Sequence, residues 1–146
     1  MNANSAGAPG STKDSAAIEP AGQRLIVTVG NVDFDFGQTR LEMDDTGAVV
    51  VASQRADIER STAGQVSVEE AKDILRSVPL AIEKEGRDRP GIPDEARYRF
   101  EVLDGGRTIV DESLWEGQIE GSPSSRKLIE ALRRIVSEVA GDEAVL

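Results

Sequence analysis

The chain of 146 residues contains no cysteine and no histidine. Those absences remove disulfides, thiol nucleophiles, serine–histidine–aspartate triads and almost every zinc site. A hard-metal site built from carboxylates is the one metal chemistry left open. Aromatic residues are few: one Trp, one Tyr and three Phe. No apolar run approaches the ~18 residues of a membrane span, and no apolar stretch of about 7–15 residues near the start marks a secretory signal. Basic residues are outnumbered, 17 Lys and Arg against 27 Asp and Glu, giving a net charge of −10. Affinity for nucleic acid comes from cations that neutralise phosphates, so no nucleic acid partner is expected. The expectation is a cytoplasmic protein without a membrane partner, whose charge suits solubility and steering toward a basic partner.

What is present divides into a tail and one folded unit. Residues 1–23 are small, polar, Pro or Gly apart from Met1 and Ile18. Such a segment cannot bury enough apolar surface to offset its ordering entropy, so it reads as a disordered tail. Residues 24–140 fit a single domain, with 141–146 as a flexible end. "RLIVTV" (24–29) is a β-branched run bounded by Gly and reads as a buried strand. "QTRLEMD" (38–44) alternates Thr39, Leu41 and Met43 with charged residues. "DDTG" supplies a turn, and "AVVVAS" (48–53) returns as a third strand. Residues 54–66 are polar and read as a loop.

Ser67 and Glu70 fit a helix capping box. Val68, Ala71, Ile74, Leu75 and Val78 then form one apolar stripe, which Pro79 ends. Residues 83–95 read as a long charged connection. "ARYRFEVLDGGRTIVDES" (96–113) is a hairpin, with Tyr98, Phe100 and Val102 facing a core and the return strand running from Thr108 to Glu112. Ser122-Pro123 opens a last helix with Leu128, Ile129, Leu132, Ile135, Val136 and Val139 on one face, ended by Gly141. The predicted fold is α+β: an antiparallel sheet of four to five strands with two helices packed on one face, in the order β-β-β-α-β-β-α.

Two stretches stand out as candidate sites. In "GNVDFDFG", Asn31, Asp33 and Asp35 alternate with Val32, Phe34 and Phe36. A calcium loop would use the first three and Glu42 at the twelfth position, but its Gly comes one residue late and no helix precedes it. No metal and no cofactor are therefore expected. The same alternation fits a strand end with both rings packed inward. It also fits an exposed contact loop, because aromatic anchors within a polar rim are a common interface composition. In "DESLWEGQIEG", Trp115 fits either a plug between sheet and helix or an interface hot spot. The adjacent carboxylates Asp44-Asp45, Glu69-Glu70 and Asp111-Glu112 are explained by a turn, a helix N-terminus and a solvated strand end, so no catalytic residue is assigned.

"YRFEVLDGGRTIVDES" followed by "SSRKLIEALRRI" resembles the C-terminal half of the emfourin family, small protein inhibitors of protealysin-like metalloproteases of the thermolysin group. Tyr98, Phe100, Val102, Asp104, Gly105, Gly106 and Arg107 match the family's hairpin, and Leu128 and Leu132 its closing helix. In architecture the resemblance covers most of residues 24–137, and in residues about 98–136. The main departure falls at "GNVDFDFG", where the family carries a small Gly-rich segment; the segment "TAGQVSVEE" and the long N-terminal tail also differ. The resemblance implies a non-catalytic inhibitor that occludes a protease cleft. Asp33 or Asp35 would approach the cleft and its metal, with Phe34 and Phe36 as apolar anchors. The residues alone leave a second reading open, an acidic immunity- or antitoxin-like protein that neutralises a basic toxin.

Overall fold

A computed structural model of the chain describes residues 22–30, 37–55, 58–82 and 96–141. Among these residues nine elements follow one another: β1 (Gln23–Gly30), β2 (Gln38–Asp44), β3 (Ala48–Arg55), β4 (Ile58–Gln65), α1 (Val68–Ala81), β5 (Arg97–Asp104), β6 (Arg107–Trp115), α2 (Glu116–Glu120) and α3 (Pro123–Ala140). The six strands form one antiparallel sheet in the order β4-β3-β2-β1-β5-β6.

Alternation along each strand sorts side chains onto two faces. The register aligns Thr62, Val51, Leu41, Val27 and Phe100 in one row across the sheet, and Gly64, Val49, Met43, Leu25 and Val102 in the next. The apolar members of these rows are buried in one cluster with Ala71, Ile74, Leu75 and Val78 of α1 and Leu128, Ile129, Leu132, Ile135 and Val136 of α3. The opposite face carries Arg24, Arg40, Glu42, Arg99, Glu101 and Asp111. Arg24 and Arg40 reach Glu42 at 3.8 and 3.2 Å, while Arg99 holds Asp111 through two nitrogens at 3.0 and 2.9 Å. Ile26 lies among these side chains and is only 8% exposed. Their long aliphatic stems cover it.

The predicted class holds, with differences in the elements. The sheet has six strands rather than four to five, because the polar stretch read as a loop contains β4. Its residues show no apolar alternation, since β4 is an edge strand and Ile58 to Ser61, Ala63 and Gln65 are exposed. What makes it a strand is its ladder with β3, from Ala48 opposite Gln65 to Arg55 opposite Ile58. Among the described residues there are three helices rather than two, the extra one being the single turn α2. α1 runs past Pro79 to Ala81. Only the last turn follows the proline, and the Ile82 N–H closes it by donating to the Val78 carbonyl at 3.1 Å. Val68 stands outside the apolar stripe, exposed in the first turn. β6 extends beyond Glu112 to Trp115.

Local chemistry explains the turns. Gly105 and Gly106 both have positive φ, 59° and 86°, as a two-residue hairpin turn matched to strand twist requires. The Ser67 side chain accepts from the Glu70 N–H at 3.0 Å, and Ser122 caps α3 through the Ser125 N–H. The Ser125 hydroxyl, buried, donates to the Ala81 carbonyl and ties the start of α3 to the end of α1.

Candidate partner-binding surface

The sheet has two ends, and one of them gathers the candidate residues. Across that end the register sets Glu59, Gln54, Gln38, Gly30, Arg97 and Trp115 abreast. Gly30 and Trp115 sit two strands apart, about 10 Å at the usual spacing of neighbouring strands. Segment 31–36 joins β1 to Gly37 and β2 here. Asn31, Asp33, Phe34, Asp35 and Phe36 themselves lie outside the described residues.

Trp115 is described, and it is not a core plug. Strand alternation puts Leu114 into the core, 1% exposed, and Trp115 on the opposite, open face beside Arg97. It is half-buried. Its N–H donates to Gln118 Oε1 at 2.8 Å, so the residue that ends β6 also starts α2. Arg97 reaches Ser113 Oγ at 3.4 Å, and Arg99 and Asp111 form a two-pronged pair in the next row. The surface beside Trp115 is thus built of planar cations held by neighbours, which sequence reading did not single out. The signal is the alternation in "RYRF", which sets Arg97 and Arg99 on the face opposite Tyr98 and Phe100.

Electrostatics on this face are those of exposed pairs. The hydrogen bond from Arg99 holds the Asp111 carboxyl below its ordinary value, against a smaller opposing effect of burial. The same bond raises Arg99 above its ordinary value. Glu42, the twelfth position of the calcium reading, is in mid-strand and engaged by Arg24 and Arg40. Among the described residues no group of three or more acidic side chains is placed to hold a metal.

The helix side of this end holds a cleft of about 210 Å3 bounded by Tyr98, Ile119, Arg126, Ile129 and Arg133. There the Arg133 guanidinium donates to the Tyr98 hydroxyl at 3.2 Å. A wider groove of about 700 Å3 runs between α1 and α3, with Ile74, Leu80 and Leu128 along it. Glu70 and Asp73, two of its carboxylates, are paired with Arg134 and Arg76.

The adjacent carboxylates take structural roles. Asp44 closes its own turn by accepting from the Thr46 N–H and hydroxyl and the Ala48 N–H. Asp45 accepts from the Gln23 N–H at 3.1 Å. Among the described residues no helix is long and apolar enough to cross a membrane. The chain matches no protein-family model and no curated protein.

Proposed function

We propose that this chain is a non-catalytic, cytoplasmic binding protein that inhibits a metalloprotease of the thermolysin group by occluding its cleft. The observation that carries the reading is the register at one end of the sheet, which sets Gly30, Arg97 and Trp115 side by side. An aromatic anchor and a cation therefore stand next to the point where the chain enters the segment Asn31, Asp33, Phe34, Asp35 and Phe36. Trp and Arg are the residue types that most often carry interface energy. The hairpin and closing helix that resemble the emfourin family, β5–β6 and α3, are parts of the same layered unit. Phe34 and Phe36 serve as apolar anchors in this reading, Asp33 and Asp35 approach the cleft, and no cofactor, membrane or nucleic acid takes part.

The test is inhibition of thermolysin and of a protealysin-like protease by the purified chain. Inhibition is expected at micromolar concentration or below. Trp115→Ala and Phe34→Ala should each raise the inhibition constant about tenfold or more, as loss of a hot spot does. Their thermal unfolding should shift by a few degrees at most. No inhibition by the parent chain at micromolar concentration removes the protease claim.

A second reading, an acidic immunity-like protein bound to a basic toxin, draws on one observation. Residues 31–36, 56–57 and 83–95 contain eight acidic residues against three basic. The strand ends they join, Gly30, Gln38, Arg55, Ile58 and Arg97, lie at this same end. Steering by such charge predicts an association rate that falls steeply with ionic strength. Apolar anchoring in a cleft predicts a shallow dependence.

A further inference from the structure

We infer that the edge of β4, which pairs with no other strand among the described residues, is a pairing surface for β4 of a second copy of this chain. This surface lies apart from Trp115, at the other side of the sheet, and the inference does not depend on the inhibitor reading. The sheet has two edges, and they are built differently. β6 is blunted by a register break opposite Val102–Leu103 and by the charges of Arg107, Asp111 and Glu112. β4 follows β3 through all eight residues without a break. It carries the charges of Glu59 and Arg60 but has no proline, no lysine and no bulge, three of the devices that keep edges from pairing. Pairing β4 with β6 would join unlike edges head to tail and build a ring or an open filament. β4 against β4 closes by a two-fold axis.

The register of that pair follows from the side chains. An axis normal to the sheet keeps both helix layers on one side and sets each residue opposite one of equal parity. With Ser61 opposite Ser61, Arg60 meets Thr62, Glu59 meets Ala63, and Ile58 meets Gly64. No like charges stand directly opposite in this register, and the two Arg60 side chains are diagonal neighbours; registers centred on Glu59 or Arg60 would set like charges face to face, and the contact of Ile58 with Gly64 selects the one centred on Ser61. Ile58 is 59% exposed on the helix side of the strand. In this register it lies against Gly64 of the second copy, where there is no side chain and where Val139 of α3 packs so close that a Cβ on Gly64 would meet it at 2.6 Å. The exposed Ile58 is thereby covered by an apolar partner. Arg60 falls diagonal to the same Gly64, about 7–8 Å away. That brings a cation beneath the C-terminal end of α3, whose last turn has no basic residue of its own.

One edge strand buries less than the ~1,200–2,000 Å2 of a standard interface, so a weak equilibrium is expected, with dissociation in the micromolar range or above. Sedimentation velocity of the full chain from micromolar to millimolar concentration, at physiological ionic strength, should show the mean mass rising toward twice that of the chain. Ser61→Cys places the chain's one thiol opposite its own copy, at a separation suited to a disulfide. With oxidised glutathione it should form a covalent dimer at least about tenfold faster than Asp104→Cys, a turn thiol with no such partner. Ser61→Lys sets two like charges opposite and should weaken the dimer several-fold. Ser61 is exposed, so unchanged circular dichroism is expected for both variants. A mass that stays monomeric to millimolar concentration, equal cross-linking rates, or a Ser61→Lys chain that associates as the parent does would each overturn the inference.

Discussion

Two glycines with nearly the same backbone angle separate conformational strain from crowding. Gly47 has φ +91° and a Cβ there would fall 2.1 Å from the Val66 carbonyl oxygen, which cannot move aside cheaply. Its own carbonyl accepts from the Val66 N–H at 2.8 Å, so this contact fastens the β2–β3 turn to the chain leaving β4. Gly106 has φ +86° with nothing within 4 Å of a Cβ. Gly106→Ala should cost about 1 kcal/mol of unfolding free energy, the strain alone. Gly47→Ala should cost about 3 kcal/mol, strain plus clash. Urea denaturation of both variants checks the difference, and equal losses would mean that crowding at Val66 is relieved. Asp44 makes a pH prediction. Burial pushes its carboxyl up, but the Thr46 hydroxyl, the Thr46 and Ala48 N–H groups and Arg24 together hold it below its ordinary 3.8. A carboxyl depressed by folding adds stability that is complete above the unfolded value and is lost as pH falls through the folded one. Asp44→Asn should therefore flatten the loss of stability from about pH 4 downward, while Asp111, depressed by Arg99, keeps part of it.

Elements were legible where one strong local device coincided with an apolar period. The β5–β6 hairpin had both: Asp-Gly-Gly for a turn needing positive φ, and Tyr98, Phe100 and Val102 for the core face. α1 had its cap, and the cap is testable. Ser67→Ala removes the acceptor for the Glu70 N–H and should destabilise the protein by about 1 kcal/mol, read as a lower urea midpoint with unchanged slope. β4 was illegible for a physical reason. An edge strand exposed along most of its length needs no apolar alternation, and its conformation is imposed by the ladder to β3. α2 was missed because one turn is too short to show a period, and it depends on the Gln118 side chain reaching back to the Trp115 N–H.

At the scale of the whole molecule, strand order decides which residues can act together. Trp115 and Gly30 are 85 positions apart in the chain, yet β5 alone separates their strands. The candidate site was legible as a list of residue types, with Phe34 and Trp115 as scarce aromatics, but not as a place. Arg97 and Arg99 became part of it only through their register with β6. The sequence by itself determined the α+β class, the core face of each amphipathic strand and helix, and the turns that require Gly or Asp, because each of these follows from a period or a backbone angle within a few residues. Tertiary structure alone decided that β4 is a strand, that Trp115 faces away from the core, and that the two sheet edges differ. Those facts depend on hydrogen bonds and packing between segments far apart in the chain, which no local pattern encodes.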